Sequence, residues 1–203
     1  MKRKGFFITI EGLEGSGKSS VIKFIEKLLR KRKASFKVYR EPGSTAVGEK
    51  IRKILLDKKN KNLSVHTELL LYLAARTQLI EEKLKKDFKK YDFILCDRFF
   101  DSTLVYQGFG LGLGKIVESS VEMFSLGVAP NLTLVLDVPP KVGLARLKSK
   151  DRIESRVMNF HNRLRKGYLH LAKKYPNRVK IVDACDSLPQ IYERVEKQLK
   201  RVF

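Results

Sequence analysis

An α/β fold built on a parallel sheet is predicted by three observations. Short apolar runs alternate with longer runs of helical period along the chain, charged residues stand at the carboxyl ends of the apolar runs, and a glycine-rich turn follows the first of them. The strand candidates are 6–11 "FFITIE", 36–41 "FKVYRE", 92–97 "DFILCD", 132–138 "LTLVLDV" and 179–183 "VKIVD". Between them the helical spacing predicts helices over 18–33, 47–57, 66–89, 101–107, 115–126, 140–148, 155–174 and 187–201. Sheets of this kind bind ligands outside the carboxyl ends of their strands, where Glu11, Arg40, Glu41, Asp97, Arg98 and Asp137 stand.

A chain of 203 residues holds one ordinary core, so one domain spanning 1–203 is expected. With 43% hydrophobic and 32% charged residues, six prolines and no internal repeat, it reads as globular. No apolar stretch approaches the roughly 20 residues of a membrane helix. The start "MKRKGFFITI" imitates a secretion signal, but Glu11 ends its apolar part and no small-residue cleavage site follows, which points to the cytoplasm. Cys96 and Cys185 are far apart, form no CxxC pair and fall in or beside strands, so buried thiols are expected. His66, His161 and His170 show no ligand spacing with acids and fall on helix faces.

The formal net charge of +21 raises the question of nucleic acid. Its distribution weakens that reading, because most of the basic runs "KRK", "RKRK", "KKNK" and "KKDFKK" fall at helix ends or on solvated helix faces. A positive field would nonetheless gather anionic nucleotides.

Residues 12–20, "GLEGSGKSS", complete the pattern G-x-x-x-x-G-K-[ST] directly behind a strand and at the opening of a helix. Glycines let backbone N–H groups turn inward around phosphate oxygens, and the helix N-terminus adds partial positive charge. The segment Gly12, Leu13, Glu14, Gly15, Ser16, Gly17, Lys18, Ser19 and Ser20 is therefore the expected ATP-binding loop. Lys18 would reach the β- and γ-phosphates and the Ser19 hydroxyl would ligate Mg²⁺. The loop alone does not separate kinases from other nucleotidases; the guanine-reading N-K-x-D is absent. Further on, "CDRFFDSTLVYQG" at 96–108 places an Asp-Arg pair at the end of the third strand. Asp97 is placed to hold Mg²⁺ directly or through water, and Arg98 to hold a phosphate with two parallel hydrogen bonds. Taken by itself, the pair would serve equally as a surface ion pair.

Six ordered blocks, "EGLEGSGKSS" (11–20), "REPGST" (40–45), "ELLLYLAARTQLIEEKL" (68–84), "DRFFDSTLVYQG" (97–108), "LDVPPKVGLAR" (137–146) and "DRIESR" (151–156), resemble the bacterial thymidylate kinases over nearly the whole chain. The resemblance implies a P-loop kinase core, a five-stranded parallel sheet flanked by helices with a short lid at about 146–156. It implies Mg²⁺-dependent transfer of the ATP γ-phosphoryl group to dTMP, and a homodimer formed through the helices at 66–89 and 101–126. The acceptor dTMP would meet Glu14, Arg40, Pro42, Tyr72, Arg76, Arg98, Thr103, Tyr106 and Gln107. Tyr72 and Arg76 lie one helical turn apart, so a ring could stack on the base while the guanidinium reaches base or phosphate. Without the resemblance, Leu69, Tyr72 and Leu73 read as an apolar core stripe. Tyr106 resembles the aromatic that crowds the sugar 2′ position.

The family places a catalytic arginine either in the phosphate loop or in the lid. Gly15 occupies the loop position, so this chain resembles the lid-arginine type, with Arg146, Lys148, Lys150, Arg152 and Arg156 available and Arg152 expected as the main cation beside Lys18 and Arg98. The lid is shorter than usual and carries Lys where Arg is common; "PGST" replaces "PGGT". A kinase of another nucleotide, a basic ATPase acting on nucleic acid and a non-catalytic nucleotide binder are the alternatives. The first, on another nucleotide or deoxynucleoside, would retain the fold and phosphate loop, but Tyr106 and the "YLAAR" helix argue for dTMP. The second leaves the Asp-Arg block and the lid unexplained, and the third would need neither Lys18 nor the lid arginines.

Overall fold

In the computed structural model, which describes residues 5–200 and 202, β1 (Phe6–Gly12), β2 (Phe36–Arg40), β3 (Phe93–Asp97), β4 (Leu132–Asp137) and β5 (Val179–Asp183) form one sheet. All pairings are parallel and the order is β2-β3-β1-β4-β5. Each strand lies within one residue of its predicted bounds. The basic start (1–4) and the last predicted helical position (201) lie outside the described residues.

Because side chains alternate along a strand, β1 faces two layers. Ile8 and Ile10 pack with Leu134, Leu136 and Val182 against α1 (Lys18–Lys31) and α9 (Leu188–Leu199), through Val21, Ile25, Leu29, Ile191 and Val195. Phe7, Thr9 and Glu11 point to the opposite face. There α3 (Val65–Leu79) and α8 (Met158–Lys174) contribute Leu79, Phe160, Leu164 and Tyr168. Glu11 is thereby carried into the interior at the end of the strand that feeds the glycine turn. The sheet order reverses direction at β1, so the crevice at its carboxyl end opens between β3 and β4, the position at which such sheets bind nucleotides.

The helices depart from expectation in three places. The segment predicted as one helix over 66–89 is continuous but contains a π-helical turn, Ile80–Leu84, before α4 (Lys85–Asp87). After α5 (Phe100–Thr103) a second π-helical stretch, Leu104–Gly110, carries Tyr106 and Gln107. Wide turns of this kind re-aim side chains and are frequent at functional sites. Third, α7 (Pro140–Ala145) ends early and α8 starts late, so 146–157 contains turns and no helix or strand. Asp151 explains part of this: its Oδ1 accepts from the backbone N–H groups of Ile153 and Glu154, which fixes a turn in place of helix. The remaining helices are α2 (Ala46–Leu56) and α6 (Gly114–Phe124). No helix among the described residues is long and apolar enough to cross a membrane.

Cys96 is buried in β3, as expected, but Cys185 is exposed. It falls beyond the end of β5, in the loop to α9, where its backbone N–H donates to Asp183 Oδ1 at 3.0 Å. His161 lies on the inner face of α8 and is fully buried, whereas His66 and His170 are exposed on their helices.

Candidate active site

The turn at 12–17 joins β1 to α1. Gly12 (φ 130°) and Gly15 (φ 69°) hold left-handed conformations. A Cβ on Gly15 would sit 2.0 Å from the Gly143 carbonyl oxygen, so the loop rests directly on the backbone of α7. That contact gives a physical reason why this position carries no arginine. Gly17 caps α1 without a side-chain hydrogen bond, and the first turn has no acidic residue. The leading N–H groups are thus left for an anion. Lys18 Nζ folds back onto the carbonyls of Gly12 (3.2 Å) and Leu13 (2.9 Å). Burial, with the neighbouring Arg98 charge, pushes its ammonium down to about 8 against the pull of Asp97, Glu14 and Glu11.

Arg98 follows β3 with φ 70°, an uncommon conformation for a side-chain-bearing residue, and its N–H donates to the Ile10 carbonyl of β1 at 3.0 Å. Its guanidinium is held on several sides: Nη2 donates to Glu14 Oε1 (3.0 Å), and Nη1 to Ser102 Oγ (3.1 Å) and the Tyr168 hydroxyl (3.2 Å). The Tyr106 ring lies under it at 5.0 Å. Burial opposes the charge, but Tyr106, Tyr168, Glu14 and Glu11 hold Arg98 firmly protonated. Beneath it, Glu11 is fully buried and accepts from the Phe99 N–H (2.8 Å), Ser102 Oγ (2.6 Å) and Tyr168 (2.8 Å). Burial raises the Glu11 carboxyl and Arg98 counters it. Glu14 ends below its usual range: burial raises it, but Arg98, Lys18 and the 2.6 Å bond from Tyr106 outweigh burial.

The second half of the cavity is built on α3. Arg76 is buried, with Nε donating to Glu41 Oε2 at 2.9 Å and Nη2 to Thr103 Oγ1 at 2.8 Å. Burial pushes Glu41 up to about 7, with Arg76 opposing. Tyr72, one turn before Arg76, lines the same cavity with Pro42, Arg40, Arg52, Tyr106 and Gln107. Four buried polar atoms in residues lining it have no hydrogen-bond partner: Glu14 Oε2, Glu41 Oε1, Arg76 Nη1 and Asp97 Oδ1. Orphaned buried polar groups are costly, and four in residues that line one cavity fit a site for a polar ligand.

Known proteins resemble this chain in sequence over nearly its whole length. The family model described as thymidylate kinase matches residues 10–195. The chain is 39% identical to the thymidylate kinase of Clostridium novyi (strain NT), covering 97% of this chain and 99% of that one. It is 41% identical to that of Kosmotoga olearia, covering 95% and 94%. The crystal structure of thymidylate kinase from Ehrlichia chaffeensis matches with a TM-score of 0.80 and 28% identity, over 97% of this chain and 98% of the other. The chain belongs to the thymidylate kinase family. As a member of that family it is an ATP-dependent phosphotransferase whose acceptor is dTMP.

Within this thymidylate kinase framework, most residues picked out in the sequence meet at one place. Glu14, Gly15, Lys18, Arg40, Pro42, Tyr72, Arg76, Asp97, Arg98, Thr103, Tyr106 and Gln107 all line the cavity. Arg40 does so at the rim, paired with Glu49 at 2.8 Å. Ser19 stands at the exposed start of α1 and Ser16 Oγ is buried without a partner.

The lid is arranged differently from the thymidylate kinase expectation. Arg152 is not on the phosphate loop: its Nε donates to the Leu55 carbonyl (2.7 Å) and its Nη2 to Glu68 Oε2 (2.6 Å). Arg146 is the lid residue that touches the loop, donating to the Gly15 carbonyl at 3.2 Å. Lys148 and Lys150 are exposed. The reason is the turn fixed by Asp151, which directs the next residue back toward α2 and α3.

Three residues of the site were not assigned from the sequence, although Ser102 lies in the 96–108 block. Tyr168 comes from the middle of α8, Arg52 from α2 with Nη1 on the Pro42 carbonyl (3.1 Å), and Ser102 bridges Glu11 and Arg98. Only the inward-facing helical phase of Tyr168, beside Leu164 and Leu171, hinted at its place.

Proposed function

We propose that this chain transfers the γ-phosphoryl group of ATP, seated on the 12–20 loop, to the phosphate of dTMP seated in the cavity between Arg98 and Arg76, in the supply of dTTP. The four unpartnered buried polar atoms on that cavity carry the reading. The loop N–H groups and Lys18 take the donor phosphates. Arg98, pre-oriented by Glu14, Ser102 and Tyr168, holds the acceptor phosphate, assisted by Arg40 at the rim. Positioning and charge neutralisation suffice here, because the attacking phosphate oxygen is already anionic at neutral pH.

The base falls to Tyr72, whose ring can stack on it, with Arg76 Nη1 and Thr103 offering polar contacts and Pro42 a wall. Gln107 gives its amide nitrogen to Glu68 at 2.9 Å, which leaves its carbonyl to accept from a base N–H such as thymine N3–H. Tyr106 is fixed through its hydroxyl to Glu14, so its ring stands still where a ribose 2′-hydroxyl would need room. Asp97 and Ser19 supply hard oxygen donors for Mg²⁺, and the lone Asp97 Oδ1 suits a hydrated ion. When bound, the ion neutralises charge on the phosphate oxygens. Arg146, on the loop backbone, takes the role of the lid cation nearest the donor. Arg152 positions the lid.

One domain with its lid at about 146–156, a cytoplasmic setting and no nucleic-acid partner complete the proposal. It includes a homodimer, because α2, α3 and α6 pack side by side and leave Ile54, Leu70 and Met123 exposed. The test is transfer from γ-labelled ATP. Label recovered in dTDP, with ADP formed in equal amount, supports the reading; label recovered as free phosphate irrespective of dTMP overturns it.

A further inference from the structure

Glu68 sits in the first turn of α3, behind the N-cap Ser64, and is fully buried. A carboxylate so placed must be satisfied, and three donors from distant parts of the chain converge on it. Gln107 Nε2 reaches Oε1 at 2.9 Å, while Arg152 Nη2 and Arg156 Nη2 reach Oε2 at 2.6 and 2.7 Å. Arg152 is further pinned by the Leu55 carbonyl, and Arg156 lies over the Phe160 ring at 4.6 Å.

These contacts join three structures that the reaction needs together. Both arginines belong to the lid, whose Asp151, Ile153 and Glu154 form one wall of the acceptor cavity. Gln107 belongs to the π-helical stretch that faces the base. Glu68 shares its helix with Tyr72 and Arg76, one and two turns on, so all three lie on one face. The lid between α7 and α8 has no helix or strand of its own. Charged hydrogen bonds to Glu68 attach it to the cavity.

We propose that Glu68 is a positioning residue that latches the lid over the acceptor cavity and, through Gln107, ties lid closure to occupation of the base site. This rests on the acceptor reading given above. One carboxylate bridges two guanidinium groups and offsets half of their charge, so loss of its charge leaves two like charges on either side of a neutral group. The 151–156 part of the lid then lifts, and the wall formed by Asp151, Ile153 and Glu154 leaves with it, while Arg146, next to α7, stays on the Gly15 carbonyl. The donor loop, held by Gly15 on Gly143, stays in place.

The lid carries five trypsin sites, Arg146, Lys148, Lys150, Arg152 and Arg156, so limited trypsin digestion reads its opening directly. In the intact chain, dTMP is expected to protect the lid. In Glu68→Gln, cleavage within 146–156 is expected to be about tenfold faster, with dTMP protection lost. The KM for dTMP should rise about tenfold while the KM for ATP stays within about twofold. A merely structural role would instead spread cleavage over the chain and move both constants. If Glu68→Gln folds poorly, Arg152→Gln and Arg156→Gln remove the same bonds from the lid side and are expected to act in the same direction. Lid cleavage at the rate of the intact chain, or equal rises in both KM values, would overturn the latch. Should the chain fail to phosphorylate dTMP at all, the acceptor reading falls, while digestion without nucleotide still reports on the latch.

Discussion

Tyr168→Phe removes one oxygen atom from the network that holds Arg98 and leaves every cavity-lining residue in place. The lost hydroxyl donates to Glu11 Oε2 at 2.8 Å and accepts from Arg98 Nη1 at 3.2 Å. Glu11, fully buried, keeps two donors, the Phe99 N–H and Ser102 Oγ. A buried hydrogen bond to a charged group contributes about 1.5–3 kcal/mol, so a loss near 2 kcal/mol is expected. For a domain of this size that lowers Tm by about 4–8 °C, readable by thermal melting. Arg98 keeps Glu14 and Ser102 but gains freedom to swing, and a misplaced clamp on the acceptor phosphate should lower kcat by about tenfold. The KM for ATP should stay within about twofold, because the lost hydroxyl bonds Arg98, Ser102 and Glu11 and not Lys18 or the loop. Unchanged Tm and kcat, or an ATP KM that moves as far as kcat, would refute the reasoning.

Three further outcomes are expected. Lys18 is depressed to about 8 when free, and bound phosphates restore its charge, so ATP binding at pH 9 should take up protons and weaken as pH rises above 8. Calorimetry in two buffers of different ionisation enthalpy measures this, and binding without proton uptake would contradict it. Gly15→Ala drives a methyl group to 2.0 Å from the Gly143 carbonyl and should raise the KM for ATP by about tenfold or more with a lowered melting temperature, while an unchanged ATP titration would place the loop elsewhere. Leu70→Arg and Met123→Glu, at positions 61% and 68% exposed, should shift the proposed dimer to monomer in sedimentation velocity without loss of the folded state; an unchanged sedimentation coefficient would contradict a dimer through these helices.

What was legible in the sequence is what depends on near neighbours. The β1 strand, the glycine turn and α1 are contiguous, and the mechanism of phosphate binding demands that order, so residues 6–31 could be read directly. The Asp97–Arg98 pair was visible because a strand end and a charge pair coincide, and Tyr72 with Arg76 because helical spacing puts them on one face. Arg98 and Tyr168 are 70 positions apart and Glu11 and Tyr168 157 apart, and only the layering of α8 on β1 brings them together. The same holds for Glu68 and Arg152: an acid in a helix start and a basic loop carry no mark of each other. The lid assignment in particular depends on a turn set by Asp151, which decides whether Arg152 faces the loop or α3. Cys185 is exposed although β5 ends at Asp183 as expected, because it stands two residues beyond the strand in the loop to α9, whose direction the strand pattern does not fix.

The central claim is that the cavity between Arg98 and Arg76 receives dTMP. The most direct test measures kcat/KM for ADP release from ATP and Mg²⁺ across dTMP, dUMP, UMP, dCMP, AMP, GMP and thymidine, with Lys18→Ala and Arg98→Ala as controls and one sample containing DNA. The account expects dTMP to be the best acceptor, UMP to be excluded by Tyr106, and turnover to collapse in both variants. A different monophosphate as the preferred acceptor, or hydrolysis that rises only with DNA, would contradict it.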